Sequence, residues 1–258
     1  YLILVKLATR VLGDNEYALR LPAFIAGLLG LWLFVRLAET SLAPRACLLA
    51  VALFAVSPFL VYYAAELKQY ELDAAAAIAL LWFARKRLER DKTADLFVLG
   101  IAGMVVSWFS HPSVFVLTAI GAVAVIEACA RRAWRRATML SAICLVWVIS
   151  FAANLALTHA LDGPVARHMQ GVYWRKAFLP FPPHSFADLM WPAKALFAAL
   201  VDPGGFKLSG VALLLAFAGG VVHWRENRSW LAILVLPAVV ALFASGLSLY
   251  PFDGRFLL

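Results

Sequence analysis

Leu72-Asp73-Ala74-Ala75-Ala76-Ala77-Ile78-Ala79-Leu80-Leu81-Trp82-Phe83-Ala84 runs without a break into Arg85-Lys86-Arg87. An apolar stretch with one acid near its start and a block of cations at its end reads as a single bilayer crossing with a cationic foot. The same unit recurs along the chain. Apolar runs of about 15–20 residues, the length scale of a membrane crossing, begin near Leu21, Cys47, Leu72, Leu96, Ser113, Thr138, Leu208 and Trp230. With 64% of 258 residues hydrophobic, no water-soluble fold of this size has an interior that would hold them. The expected fold is all-α: a polytopic transmembrane bundle of about eight spanning helices, with amphipathic helices on its outer surface.

The cations supply an orientation. More than half of the 23 Lys and Arg lie in alternate gaps: Arg36 with Arg45; Arg85, Lys86, Arg87, Arg90 and Lys92; Arg131, Arg132, Arg135 and Arg136; Arg225 with Arg228. Short loops rich in Lys and Arg stay cytoplasmic. The outward segments are then Tyr1–Arg20, Ala64–Tyr70, Ser110–His111, Leu161–Lys207 and Leu249–Leu258. The net charge of +8 is accounted for by anchoring beside anionic lipid, so no nucleic-acid partner is expected. The cysteines, Cys47, Cys129 and Cys144, fall towards cytoplasmic helix ends, and an odd number on the reducing side argues against a disulfide framework. No zinc spacing, GxGxxG or P-loop is present, so no cofactor is identified, and a divalent metal is left open. The chain begins at Tyr1 and stops at Arg255-Phe256-Leu257-Leu258, inside what reads as a further apolar run. We expect one transmembrane domain over residues 1–258 that continues at both ends, with an extracytoplasmic loop and surface helix over 160–207.

The chemistry lies along the outward rim. Tyr1–Leu12 is amphipathic and ends at Gly13, a natural C-cap, so a helix lying flat on the outer surface is expected. Pro22 suits the opening turn of the first spanning helix. The next outward gap gathers Tyr62, Tyr63, Glu66, Lys68, Tyr70, Glu71 and Asp73. The tyrosines by themselves fit an aromatic belt. The ionisable groups suit either a functional site or helix-end salt bridges: Asp73 falls one turn inside a helix, where a carboxylate needs a partner, and Lys68 is the nearest cation in sequence. His111 lies in the tight Ser110-His111-Pro112 turn, on the same side. In the long loop, Arg167 to Lys176 mixes cations with aromatics and suits either a sugar or lipid phosphate or plain headgroup contact. Phe178 to His184 is expected to be extended by its prolines. Ser185 with Asp188 reads as a capping box opening a surface helix to Leu200, with Pro192 as a point where it can kink. Tyr250, Asp253 and Arg255 gather at the last boundary. The spanning interiors hold almost no ionisable groups, which weighs against the runner-up reading of a lipid or polysaccharide flippase or other transporter.

Gly13-Asp14-Asn15-Glu16-Tyr17-Ala18-Leu19-Arg20-Leu21-Pro22-Ala23-Phe24-Ile25-Ala26-Gly27, followed by Ser57-Pro58 and Glu66-Leu67-Lys68-Gln69-Tyr70, resembles the polyprenyl-phosphate-sugar-dependent membrane glycosyltransferases of the GT-C superfamily. The likeness is to the bacterial protein-mannosyltransferase-like and lipid A aminoarabinose-transferase-like members. Tyr250-Pro251 with Arg255 is similar to a further segment of that group. The resemblance implies an inverting transfer of a hexose or pentose from a polyprenyl-phosphate donor to an extracytoplasmic lipid, glycan or protein at a bacterial inner (plasma) membrane. It implies a catalytic acid in a loop preceding Tyr1. Glu66, Lys68 and Tyr70 fall on the family's Glu-x-basic-x-Tyr pattern, where Arg is commoner than Lys, and Arg255 on its outer-rim basic position. Substrate contact is thus expected from Glu66, Lys68, Tyr70, Asp73, His111, Tyr250 and Arg255.

Overall fold

The computed structural model describes residues 1–90, 92–161 and 174–254. Its regular elements are all helical: α1 Leu2–Leu12, α2 Glu16–Ser41, α3 Pro44–Ala55, α4 Pro58–Ala64, α5 Tyr70–Leu88, α6 Thr93–Val106, α7 Ser113–Ala130 and α8 Trp134–Leu161, then α9 Phe186–Leu189, α10 Trp191–Val201, α11 Ser209–Glu226 and α12 Arg228–Gly246. Each apolar run of the sequence is helical, the run from Cys47 as two helices, α3 and α4, but of the eight expected spanning helices four to five meet the length and hydropathy of a crossing among the described residues. By length and composition α2, α7, α8 and α12 are long and apolar enough to cross a membrane, and α3 with α4 makes a further crossing if the pair, bent by 52°, is counted as one. The bend falls where Pro58 opens α4 and has no N–H to continue the ladder of α3. α6, with 14 residues, spans about 21 Å, short of a hydrocarbon core of about 30 Å.

The chain divides into two compact units, Tyr1–Val114 and one that starts at Phe115. In the first, α1 ends where Gly13 takes φ +84°, and Asn15 caps α2 by accepting from the Ala18 N–H at 2.9 Å. α2 therefore begins at Glu16, five residues before its apolar run, and Pro22 lies inside it. The expectation of Pro22 in an opening turn is corrected: the Asn15 cap and the Glu16–Arg20 ion pair start the helix earlier than hydropathy does. A proline inside a helix is tolerated where neighbouring helices hold the backbone.

α2 and α5 run in the same direction, side by side. Gly27 meets Glu71 and Ala64, and Gly30 meets Ala75. Lipid tails offer helices no hydrophobic reason to associate, so small residues that allow close van der Waals approach decide where they pack. Two parallel helices need a return between them, which α3 and α4 supply. α6 then runs back: its first turn is tied to the end of α5 by the Arg87–Asp95 ion pair, in which Asp95 is buried.

In the second unit α7 packs on α8 at Gly121, against Cys144 and Trp147. Cys144 is thus well inside α8, about 15 Å from its start, and not at a helix end as the sequence reading had it. The difference arises because α8 begins at Trp134, ahead of its apolar run. Ser229 donates to Glu127, joining the end of α7 to the start of α12, where Asn227 caps the helix through the Trp230 N–H at 2.9 Å. A Cβ added at Gly121 would meet Cys144 Sγ at 2.5 Å. Gly121→Val is expected to cost about 1–3 kcal/mol through overpacking. It should lower the melting temperature in detergent, and Cys144→Ala in the same chain should restore part of the loss. An unchanged melting temperature would place the α7–α8 contact elsewhere.

The long loop is partly as expected. Ser185 and Asp188 form the capping box: the Asp188 N–H donates to Ser185 Oγ at 3.2 Å, while the amides of His184 and Ser185 each donate to Asp188 Oδ2 at 2.9 Å. These amides, with the Ser185 hydroxyl, hold the Asp188 carboxyl below the usual carboxylate range. The single surface helix read over Ser185–Leu200 is instead two short helices, broken at Met190. Pro192 opens α10 and cannot donate back into α9.

Candidate functional site

The rim at the Tyr70 end of α5 is built from three connections. α4 leads through Ala65–Gln69 into α5, α6 turns into α7 at Ser107–Ser113, and Tyr1 opens α1. Tyr62, Tyr63 and Tyr70 form a ladder of edge-to-face rings, with centroids 5.2 and 4.9 Å apart. The Tyr62 hydroxyl faces the Glu66 carboxylate. Tyr70 is thereby held by the aromatic rings, and Glu66 by its own preceding helix.

Glu71 and Asp73 occupy the first turn of α5, where the helix N-terminus favours negative charge. They are nonetheless only 4% and 6% exposed. Residues two apart on a helix point to opposite sides, and these two do. Glu71 turns to α2 and α4: a Cβ on Gly27 would lie 3.3 Å from Glu71 Oε2, and Glu71 Oε1 is buried with no hydrogen-bond partner among the described residues. Asp73 turns to the α6–α7 connection, where its carboxyl faces the Ser110 hydroxyl. Ser110 is 2% exposed, and its carbonyl accepts from Ser113 Oγ at 2.6 Å. His111 follows on the same turn and is half-buried.

Lys68 is not the partner of Asp73. It is exposed and makes no ion pair with Glu71 or Asp73. The reason is geometric: Gln69 immediately precedes α5, so Lys68 lies in the connection before the helix while Asp73 is already one turn inside it. The structure thus brings Asp73 to Ser110, beside His111, and leaves Lys68 facing solvent. Ser110 was missed as a partner of Asp73 in the sequence. Its signal was there: Ser107, Ser110 and Ser113, three residues apart, are hydroxyls at the rim of an otherwise apolar stretch, and all three are buried.

Tyr250 belongs to the second unit, where its ring meets Phe115 at the start of α7, centroids 4.9 Å apart. The surrounding segment is pinned. The Phe252 N–H donates to the Ala177 carbonyl at 2.8 Å, the Leu179 N–H donates to Ser245 Oγ at 2.9 Å, and Leu179 fits against Gly246. The early part of the long loop and the segment after α12 are therefore joined, as two segments on one side of a bundle would be. Arg255 lies outside the described residues, as do Arg167 and Tyr173. Among the described residues, no three His, Cys, Asp or Glu side chains are grouped closely enough to hold a metal ion.

Residues 1–157 match the dolichyl-phosphate-mannose-protein mannosyltransferase family. The chain belongs to this family. The mannosyltransferase match spans the first unit with α7 and most of α8, so Glu66, Lys68, Tyr70, Asp73 and His111 fall inside it and Tyr250 beyond it. No curated protein and no solved structure matches the chain significantly. Family and helices together make this an integral membrane glycosyltransferase of the GT-C type.

Proposed function

We propose that the protein transfers a hexosyl or pentosyl group from a polyprenyl-phosphate donor to an extracytoplasmic lipid, glycan or protein, at a bacterial plasma membrane. The observation that carries this reading is the rim of the first unit. There an exposed cation, Lys68, follows two residues after Glu66, whose carboxylate faces Tyr62, on the rim where the buried Asp73 faces the Ser110 hydroxyl.

In such a transfer the bond between the anomeric carbon and a phosphate oxygen breaks, and its electron pair stays on the phosphate. The acceptor oxygen forms the new bond from the opposite face, and its proton passes to a carboxylate. Negative charge develops on the phosphate as the sugar leaves, and a cation fixed at the boundary stabilises that charge more than it stabilises the ground state. Lys68 takes this role, with Arg255 as a second cation. Glu66 and Tyr70 take the sugar hydroxyls in this proposal. The general base is proposed to come from a loop preceding Tyr1, as the resemblance implies. Single-domain organisation and the outward face of the rim belong to the same proposal.

The full-length protein, reconstituted with labelled polyprenyl-phosphate mannose and a membrane acceptor fraction, should release polyprenyl phosphate as label moves to acceptor. Absence of transfer from any polyprenyl-phosphate sugar would sink the reading. Orientation is tested separately, in a chain lacking Cys47, Cys129 and Cys144. An impermeant thiol reagent added to intact cells should label a cysteine placed at 168 and spare one placed at 132. The reverse pattern would turn the rim to the cytoplasm.

A further inference from the structure

A second cluster lies at the opposite end of the first unit, about 22 Å along α5 from Glu71 to Lys86 at a helical rise of 1.5 Å per residue. On α2, Trp32 is followed four residues later by Arg36; on α5, Trp82 is followed four residues later by Lys86. α2 and α5 run parallel, so the two pairs lie side by side. The indoles meet edge to face, centroids 6.0 Å apart. Arg36 lies 5.7 Å over the Trp32 ring, and Lys86 lies 5.0 Å over the Trp82 ring.

This is a repeated unit and not scattered surface charge. Each ring holds one cation against its π face. The acids on these helix ends are engaged with arginines: Glu39 with Arg36 at 3.2 Å and Glu89 with Arg85 at 2.7 Å. Lys86 forms no ion pair with a described acid, and the Arg36–Glu39 pair, half exposed on both sides, is of the weak surface kind. Trp32 is itself about half exposed, so an apolar ring surface lies next to the cations. An occupant must therefore carry negative charge at the boundary and apolar chains running inward along the indoles.

We infer that Trp32, Arg36, Trp82 and Lys86 form a binding site for the headgroup of an anionic phospholipid in the leaflet that meets the Arg36 and Lys86 ends of α2 and α5. The phosphate lies between the two cations and an acyl chain lies along the Trp pair. The inference does not rest on the proposed reaction.

The test uses purified full-length protein, delipidated in a non-ionic detergent, incubated with phosphatidylglycerol or phosphatidylcholine and examined by native mass spectrometry. The wild-type protein is expected to retain phosphatidylglycerol in preference. R36Q and K86Q should each weaken that retention about fivefold, the effect of one cation near an anionic surface, while K86R keeps it. W82L should weaken it with both cations present. Melting temperature and elution volume check folding, and K86Q at its exposed position carries the test if W82L does not fold. Equal retention by wild type and K86Q overturns the site. So does an equal loss in R131Q/R132Q, which would reveal general attraction to positive loops. Displacement of the lipid by soluble glycerol phosphate overturns the assignment to a lipid.

Discussion

Replacing Lys68 by Ala in the full-length protein is expected to lower turnover of a polyprenyl-phosphate sugar more than tenfold, on the order of 1.4 kcal/mol or more. The loss should fall on kcat more than on KM, because in the proposed role Lys68 meets a charge that grows as the sugar–phosphate bond breaks. Lys68 is exposed and lies outside any helix, so its removal costs the fold little. Lys68→Arg should keep most of the activity, since the family pattern at this position favours Arg. Arg255→Ala is expected to act in the same direction. Near-normal transfer by both alanine variants would remove the cations from the phosphate site. A fall in KM-limited rate alone would make Lys68 a docking charge.

The second large effect is on stability. Arg87→Met leaves the buried Asp95 carboxylate without its guanidinium at the α5–α6 turn. Removing one partner of a buried ion pair costs about 3–5 kcal/mol, whereas replacing both with apolar groups is often near neutral. Arg87→Met alone should therefore reduce the yield of folded protein and its melting temperature sharply, and Arg87→Met with Asp95→Leu should recover most of both. If the double variant melts no higher than the single one, the pair does more than neutralise charge at that turn. The readout is independent of sugar transfer, so it probes the bundle and not the site.

Much of this was legible in the chain. Hydropathy alone located every apolar helix, because a backbone in lipid must satisfy its own hydrogen bonds and a helix does so locally. Local chemistry showed the Gly13 cap and the Ser185–Asp188 capping box, whose partners are within three residues of each other. Helix starts fall ahead of the apolar runs at α2 and α8; at α2 the Asn15 cap and the Glu16–Arg20 ion pair extend the helix beyond its apolar run.

The sequence by itself determined the membrane class, the helices and the candidate rim residues, all properties of composition and of short-range spacing. Only the tertiary structure decided which of those residues meet. It turned Glu71 towards Gly27 and Asp73 towards Ser110, left Lys68 in solvent and brought Trp32 beside Trp82. The physical reason is that partnership depends on which helices pack and in which rotation. In a bilayer that is settled by the fit of small residues such as Gly27, Gly30 and Gly121 against distant side chains, which no local pattern encodes.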